Sequence, residues 1–407
     1  MKLLFFVPTY WARPSAEGHQ EGDEIYDHPT PADTEGTLER TLRSFQLLRD
    51  QEWSIVVGIA TTIPAVTEKA YQQVKKVIER LDEGLREKIN VVGSREVDNI
   101  RLLFSGENIG QKSDLFLFRG YPGIRNLGLV TGTASGADIV VMVDDDQVFE
   151  DPDFVGKIRE GFQAKIQGEE LHAWSGFCPE QNGSYIRVRS FEPWMKYWDK
   201  IRAQNETYEK IIGVPHPRWK ITPLAFGGCF ILKRETFMKI PFDPSVGRGE
   251  DMDYLMNARM FGVTFYLDNQ LAMTHLPPAR IHPQWQRIRQ DMVRFLYQRE
   301  KIARQTDRPG MTRVEAEDFL PYPGTFLRKD LDDKIRMTNR ALVEMYTSQG
   351  NLDAVEEARK NLEIADQMIF KADPFAVLLQ VQEEWKLAAQ LVDKNKVTLQ
   401  NLLSLRG

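Results

Sequence analysis

Three consecutive aspartates, Asp144, Asp145 and Asp146, follow a run of apolar residues in the middle of the chain. Adjacent carboxylates repel one another, by a few kcal/mol for a close pair in a protein environment. In open α/β sheets, ligands bind beyond the carboxyl ends of the strands, which is where these side chains would lie. Hard divalent cations prefer oxygen ligands, so the triplet predicts a cation site. The alternative is a solvated acidic turn that leads into a helix near Asp151 and Pro152.

A second acidic pair, Glu250 and Asp251, follows Gly249, and His275 lies further along the chain. A carboxylate can accept the proton of an attacking hydroxyl group, which is the role of a general base. A neutral imidazole can complete the coordination of a metal ion. Two other readings stay open at this point, because Asp251 could cap a helix and His275 could be a buried structural histidine.

Strands and helices alternate in the part of the chain that must position these residues. Apolar runs predict strands at 3–7, 55–59, 89–92, 100–104 and 138–143, and helical spacing predicts helices at 38–48 and 70–81. This alternation is typical of an α/β fold, with a mostly parallel sheet and helices on both of its faces. Residues 11–36 have no periodicity and predict a long polar loop, which is more often functional than not.

From about residue 330 the pattern becomes helical. Apolar residues recur at helical spacing in two segments: Val355, Ala358, Leu362, Ala365 and Ile369, and then Leu378, Val381, Trp385, Ala388 and Leu391. We therefore predict an α/β domain at 1–290, divided into halves at 1–150 and 151–290. A linker or lid at 291–330 and a helical extension at 331–407 follow. The extension could form a homo-oligomer or pack back on the domain.

The composition is that of an ordinary globular protein, with 42% hydrophobic and 28% charged residues and a formal charge of −6. This charge disfavours a protein that works by general binding to nucleic acid. Cys178 and Cys229 are too few for a structural zinc site, and no stretch is long and apolar enough for a membrane span. We expect a cytoplasmic protein without an integral membrane segment. An acidic chain that binds an anionic substrate must supply positive charge locally.

An ordered set of motifs runs through the first two thirds of the chain. In sequence order these are Pro8-Thr9-Tyr10, Asn108-Ile109-Gly110, Arg125-Asn126-Leu127-Gly128, the aspartate triplet, Gly227-Gly228 and Glu250-Asp251. Over about residues 1–280 this set resembles the GT-A glycosyltransferases, most closely those of family 2. The resemblance implies the GT-A nucleotide-diphospho-sugar transferase fold and leaves the helical extension outside it. It makes 1–290 a catalytic domain, with a nucleotide-sugar half at 1–150 and an acceptor half at 151–290.

The resemblance also implies a metal-dependent sugar transfer from a nucleotide-diphosphate sugar to a hydroxyl acceptor. It assigns Asp144 to the nucleoside side of the donor, and it assigns Asp146 and His275 to an Mn2+ or Mg2+ ion that bridges the donor diphosphate. Asp145 is available to either role, and His282 is the second choice of metal-binding histidine.

On the acceptor side, the resemblance implies that Asp251 is the general base of an inverting reaction and that Glu250 orients the acceptor. Gly227 and Gly228 would let the backbone approach the acceptor, although such a pair can also be only a bulge. Sequence spacing does not separate inverting from retaining chemistry.

On the donor side, Pro8, Thr9 and Tyr10 would line the nucleoside pocket, and Arg125 would belong to the donor site. The donor would be a UDP- or GDP-sugar. Family 2 proteins commonly end the second strand in an acid that recognises the base, but residues 58–62 read Gly-Ile-Ala-Thr-Thr. The base therefore stays open.

Three other functions compete with this one. A retaining enzyme would share the scaffold. A sugar nucleotidyltransferase would carry a glycine-rich basic loop after the first strand, where this chain has Pro8-Thr9-Tyr10-Trp11. A non-catalytic scaffold would have no reason to keep Asp146, Asp251 and His275 together. Lys112 and Arg119 could reach donor phosphates, and Arg280, Trp285 and Arg287 could belong to a lid.

Overall fold

A mixed β-sheet forms the centre of the computed structural model, which describes residues 1–405 except 111, 112, 280, 281, 369 and 371. The strands are β1 Leu3–Ala12, β2 Thr30–Pro31, β3 Trp53–Thr61, β4 Ile89–Val92, β5 Ile139–Met142, β6 Gln147–Val148, β7 Lys165–Ile166, β8 Glu169–Glu170, β9 Ala173–Phe177, β10 Trp219–Ile221, β11 Phe230–Lys233, β12 Phe265–Ala272 and β13 Thr274–His275. The main sheet has the order β10-β12-β9-β11-β5-β1-β3-β4, and β2 pairs with β1. Strands β1 to β5 pair in parallel, whereas β11 is antiparallel to both of its neighbours.

Helices cover the sheet and make up most of the last third of the chain. They are α1 Leu38–Ser44, α2 Thr67–Glu79, α3 Glu83–Arg86, α4 Ser94–Gly106, α5 Gly120–Ser135, α6 Phe154–Gln163, α7 Lys200–Tyr208, α8 Arg234–Lys239, α9 Glu250–Met260, α10 Gln284–Ala303, α11 Leu331–Ser348, α12 Leu352–Gln367, α13 Pro374–Lys394 and α14 Lys396–Leu402. Within the described residues, no helix combines the length and the apolar character needed to cross a bilayer.

The central strand β1 shows why both faces of the sheet are covered. Successive side chains of a strand point to opposite faces. Leu4 and Phe6 belong to the core that α5, α8, α9 and α13 complete, whereas Leu3, Phe5 and Val7 belong to the core under α1, α2 and α6. A continuous apolar run is therefore needed here, and the predicted α/β class with helices on both faces is confirmed.

One of the predicted strands is wrong. Residues 100–104 belong to helix α4, which buries Val97, Ile100 and Phe104 on one face and leaves Leu102 72% exposed. The side chain of Glu96 accepts a hydrogen bond from the backbone N–H of Gly93 at 2.8 Å and so helps to begin the helix. The spacing of the three buried residues is helical, and it outweighs the short apolar run.

The predicted helical extension is present, and it packs back on the α/β part of the chain. The indole Nε1 of Trp385 in α13 donates to the carbonyl of Phe237 at 2.8 Å, and Arg234 forms a 2.7 Å salt bridge with Asp393. Helix α10 runs through position 290, where the sequence pattern had suggested a boundary. The domain division and the homo-oligomer stay predictions.

Candidate active site

A cavity of about 670 Å3 lies beyond the carboxyl end of β5. Most of the site residues predicted from the sequence line it: Tyr10, Arg125, Asp144, Asp145, Asp146, Gly227, Gly228, Glu250, Asp251 and His275. Pro8 and Thr9 do not line it, because both are buried within β1. The fold thus brings residues from six separate segments to one edge of the sheet, as expected for ligand binding in open α/β sheets.

Asp146 and His275 are held together by the short antiparallel pair of β6 and β13. Gln147 is opposite His275 in this pair, and the backbone N–H of Leu276 donates to the carbonyl of Asp146 at 2.8 Å. His275 Nε2 lies 3.2 Å from Asp146 Oδ2. Burial opposes the imidazolium form, but the hydrogen bond and the charge of Asp146 outweigh it, and the pKa of His275 is raised.

The carboxylate and imidazole of this pair are suitable ligands for a divalent cation that would also bind a substrate. The second carboxylate oxygen of Asp146, Oδ1, is buried and has no hydrogen-bond partner among the described residues. A buried polar atom of this kind calls for an explanation, and an ion is one. The described part of the chain has no group of three or more His, Cys, Asp or Glu residues arranged to hold a metal. Two protein ligands suit Mg2+-type ions, which usually complete their coordination with water and substrate phosphates.

The other two aspartates of the triplet lie in surroundings that disfavour their charge. Burial raises the pKa of Asp144, although Arg125 opposes this effect. Burial and the charge of Asp146 raise the pKa of Asp145 well above its usual range. The carbonyl of Asp145 accepts a hydrogen bond from the hydroxyl of Thr41 at 2.8 Å, which fixes the backbone of the triplet. A cation near these carboxylates would favour their ionised forms.

Arg125, on the buried helix α5, connects the two acidic motifs. Its Nε donates to Glu250 Oε1 at 2.6 Å, its Nη1 to the carbonyl of Gly227 at 2.9 Å, and its Nη2 to Asp144 Oδ1 at 3.1 Å. All three nitrogens of the guanidinium therefore bind protein groups. In this arrangement Arg125 positions Asp144 and Glu250 relative to each other.

The glycine pair forms a 3-10 turn, Gly227–Cys229, that leads into β11. A Cβ atom on Gly227 would lie 2.7 Å from Arg125 Nη2, and one on Gly228 would lie 2.1 Å from Gln147 Nε2. A side chain at either position would therefore overlap a neighbour. The pair lets the turn pass closely between Arg125 and the β6 segment.

Gly249 is the N-cap residue of α9, and Asp251 lies in the first turn of this helix. Asp251 is therefore not the cap. Its Oδ2 accepts a hydrogen bond from the backbone N–H of Gly227 at 3.1 Å, and its Oδ1 accepts one from its neighbour Met252 at 2.8 Å. Burial and the charge of Glu250 raise the pKa of Asp251 to about 6. The carboxylate is thus poised to take up a proton near neutral pH.

An aromatic cluster around Tyr10 was not predicted. The ring of Tyr10 lies 4.5 Å from that of Tyr26 and 5.0 Å from that of Tyr121. His282 is held at the same place, with Nε2 2.6 Å from the carbonyl oxygen of Tyr26 and Nδ1 3.1 Å from Gln286 Oε1. Of the two histidines considered for the metal, His275 is therefore the one beside Asp146.

Several basic residues around the cavity were also missed by the sequence analysis. These are Arg187, Lys200, Arg248 and Arg294. Arg287, considered above for a lid, also lines the cavity from the first turn of α10. They come from separate segments, and no sequence motif links them.

The segment predicted as a loop at 11–36 includes the end of β1 and the short strand β2, and it contributes Asp27 and His28 to the cavity. Its functional role stays a prediction. Lys112 and Arg280, considered above for phosphate contact and a lid, lie outside the described residues. Arg119 is the N-cap residue of α5, and Trp285 lies in the first turn of α10.

Comparison with known proteins gives fold-level similarity only. No protein-family model matches the chain, and no curated protein matches it either. Among solved structures, a mannosyltransferase from Pyrobaculum calidifontis in complex with GDP-Man and Mn2+ has 15% identity and a TM-score of 0.45, over 96% of this chain and 86% of that one. Glucosyl-3-phosphoglycerate synthase from Mycobacterium tuberculosis, with Mg2+ and UDP, has 16% identity and a TM-score of 0.36, over 72% and 77%. S. aureus TarS 1–349 has 13% identity and a TM-score of 0.38, over 91% and 93%.

Proposed function

We propose that the chain is a metal-dependent glycosyltransferase that moves a sugar from a UDP- or GDP-sugar to a hydroxyl acceptor, with inversion at the transferred carbon. The observation that carries the proposal is the pairing of two sites in one cavity. The Asp146–His275 pair lies at one site and the Asp251 carboxylate lies at the other, and Arg125 bonds to both neighbourhoods.

At the donor end, Asp146 and His275 would hold Mn2+ or Mg2+. A bound divalent ion acts as a Lewis acid and stabilises the negative charge of the departing diphosphate. The raised pKa values of Asp144 and Asp145 fit a site that a cation neutralises. Tyr10 would form part of the nucleoside wall, together with Tyr121 in the same aromatic cluster.

At the acceptor end, Asp251 would take the proton of the attacking hydroxyl. The backbone N–H groups of Gly227 and Met252 fix the orientation of this carboxylate. With a pKa of about 6, most of the Asp251 side chains are ionised at pH 7. Glu250, held by Arg125, would help to position the acceptor.

The proposal is tested by two substitutions at opposite ends of the cavity. Nucleotide binding is measured by calorimetry with and without Mn2+, and turnover is measured as release of nucleoside diphosphate from a panel of nucleotide sugars. We expect Asp146→Ala to abolish the metal-dependent part of nucleotide binding. Asp251→Asn should keep that binding and lower turnover by about 10²- to 10⁴-fold, the usual contribution of general-base catalysis.

Asp153→Ala is the matched control, because Asp153 is an exposed aspartate at the start of α6 that does not line the cavity. It should leave binding and turnover unchanged. The proposal would be refuted if the wild-type protein turned over none of the donors in the panel and also showed no metal-dependent nucleotide binding. Full activity of Asp251→Asn would remove only the base assignment and would favour a retaining reaction. The cytoplasmic location stays a prediction from the sequence.

A further inference from the structure

Four cationic side chains, here called the basic cluster, line the cavity beside the turn that carries Asp251. They are Arg187, Lys200 at the start of α7, Arg248 before α9, and Arg294 in α10. In the proposed function a cation neutralises the donor diphosphate, and each of the three guanidinium nitrogens of Arg125 there already donates to a protein group. The basic cluster therefore needs a separate explanation.

One carboxylate, Asp291 in α10, holds three of these cations together. It accepts hydrogen bonds from Lys200 Nζ at 2.7 Å and from Arg294 Nη2 at 2.9 Å, and Arg248 Nη1 lies 3.7 Å away. Burial alone would raise the pKa of Asp291, but the three cations reverse this and hold it well below its usual range. Asp291 is thus a permanent anion that only partly balances the cluster.

Among the described residues, the ion pairs of the cluster leave one cation, Arg187, without a partner. The second carboxylate among these pairs is Asp27, whose Oδ2 accepts from Arg248 Nη2 at 3.0 Å. Asp251 is a further carboxylate that lines the same cavity. Arg187 forms no salt bridge with any described residue, and its guanidinium lies 5.8 Å from the centre of the Tyr208 ring. This side chain is half-buried, and a charge removed from water is costly unless a counter-ion is supplied.

Two N–H donors of the cluster also lack acceptors. Arg248 Nη1 and Arg294 Nε are buried, and neither makes a hydrogen bond with the residues that the structure describes. Burial and the charges of the two arginines lower the pKa of Lys200 to about 7, because a further cation is disfavoured at this place. Both the charge and the donors would be satisfied by an anionic oxygen group.

The cluster lies directly against the turn that presents the candidate base. A Cβ atom on Gly249 would be 1.6 Å from Arg294 Nη1, so this guanidinium packs on the backbone two residues before Asp251. Gly249 also has a φ of 73°, a left-handed conformation that favours glycine. An anion bound by the cluster would therefore lie close to a hydroxyl group at Asp251.

We propose that the basic cluster binds an anionic group, phosphate or carboxylate, of an acceptor whose reacting hydroxyl lies at Asp251. The proposal rests on the glycosyltransferase function above and names the class of acceptor: a small hydroxylated anion. Arg248 and Arg294 supply the unused N–H donors, and Lys200 supplies a third. The acceptor is thus recognised by charge at one end and by its hydroxyl group at the other.

The test measures anion binding without any metal, so that the donor site contributes nothing. In EDTA, binding of inorganic phosphate and of D-glycerate is measured by calorimetry, one as the phosphate probe and the other as the carboxylate probe. We expect at least one probe to bind, and we expect Lys200→Met and Arg248→Met each to weaken its binding about ten- to a hundredfold, as for the loss of a charged hydrogen bond. The probe that binds more tightly gives the anion class.

Two further variants separate recognition from loss of structure. Asp27→Asn removes a carboxylate that competes for Arg248 and should tighten binding, whereas damage to the fold would weaken it. Arg202→Met, in the same helix as Lys200, removes an exposed cation paired with Asp199 and should change nothing. If Arg248→Met does not fold, Lys200→Met and Asp27→Asn still test whether the cluster binds the anion.

The proposal is overturned if neither probe binds, or if the cluster variants bind as the wild type does. Metal-dependent release of nucleoside diphosphate is measured on the same preparations. Donor turnover without anion binding would overturn this inference alone. Anion binding at the cluster without turnover of any nucleotide sugar would instead contradict the proposed function.

Discussion

Helix α10 carries two clusters of charged side chains that differ in how fully they are satisfied. Near its end, the fully buried Lys301 donates to Asp253 at 2.7 and 2.9 Å, to Asp243 at 3.2 Å and to Asn257 at 3.0 Å. Nearer its beginning, Asp291 and Arg294 belong to the basic cluster, where Arg187 has no salt-bridge partner and two N–H donors have no acceptor among the described residues.

The difference between the clusters separates stability from binding. The Lys301 cluster is closed, because its acceptors satisfy the ammonium group and exclude any ligand. The basic cluster lines a cavity and keeps unused donors, so that it lowers stability until an anion binds. A satisfied buried network stabilises one structure, whereas an unsatisfied one is expected at a functional site.

The largest expected effect comes from making the same substitution in both clusters. Lys301→Met leaves Asp253 and Asp243 buried without their cation, which should lower the free energy of unfolding by about 3–5 kcal/mol. Lys200→Met leaves Asp291 in contact with Arg294, and at pH 7 it should change the free energy of unfolding by less than about 1 kcal/mol. Urea denaturation of both variants measures the difference. Equal losses would show that the two clusters are alike and would contradict the comparison.

A smaller effect is expected from the contact between Gly249 and Arg294. Gly249→Ala introduces a Cβ atom at a φ of 73° and 1.6 Å from Arg294 Nη1. Gly262→Ala is the matched control, since Gly262 has a φ of 77° but its Cβ atom would find its nearest neighbour, the carbonyl oxygen of Gly310, at 3.9 Å. Backbone strain should cost each variant about 1–2 kcal/mol.

The steric overlap adds to this cost in Gly249→Ala alone. That variant should therefore unfold at a lower urea concentration than Gly262→Ala, and it should also bind phosphate more weakly because Arg294 is displaced. Matching stabilities together with wild-type phosphate binding would mean that Arg294 does not depend on the glycine.

The parts of the site that could be predicted are those encoded in a few adjacent residues. The apolar run at 138–143 and the triplet after it indicate a strand end with clustered carboxylates, and β5 confirms the strand. The order of the motifs, rather than any one of them, pointed to Asp251 and His275. The triplet, Asp251 and His275 do line one cavity, although their roles stay proposals.

The parts that could not be predicted depend on long-range packing. Lys200, Arg248 and Arg294 meet because α7, the turn before α9 and α10 each bring a side chain to Asp291, and Arg187 lines the same cavity. None of the four lies in a motif. The strand predicted at 100–104 is wrong for a local reason: the run is apolar by itself, but Val97, Ile100 and Phe104 together have helical spacing.

The most gradual expected effect is a dependence on pH that only the basic cluster should show. The pKa of Lys200 is lowered from 10.5 to about 7 by burial and by Arg294 and Arg248, while Asp291 opposes the shift. At a pH between these two pKa values, Lys200 is protonated in the unfolded chain and neutral in the folded protein. The stability of the wild type should therefore rise with pH above 7, by at most about 1.4 kcal/mol per pH unit from this residue.

Below pH 7 both states of Lys200 are protonated, and this contribution stops changing. The free energy of unfolding is measured from pH 6 to pH 9 for the wild type and Lys200→Met, because the difference removes the titration of other groups. Lys301→Met gives the contrast: Asp253 and Asp243 overcome burial and raise the pKa of Lys301, so this lysine should stay protonated over the whole range. As the pH rises, the free energy of unfolding of the wild type should increase relative to that of Lys200→Met. Its difference from that of Lys301→Met should stay constant. With phosphate present, this increase should begin at a higher pH, since a bound anion keeps Lys200 charged. Parallel curves for all three proteins would show that the pKa of Lys200 is not lowered.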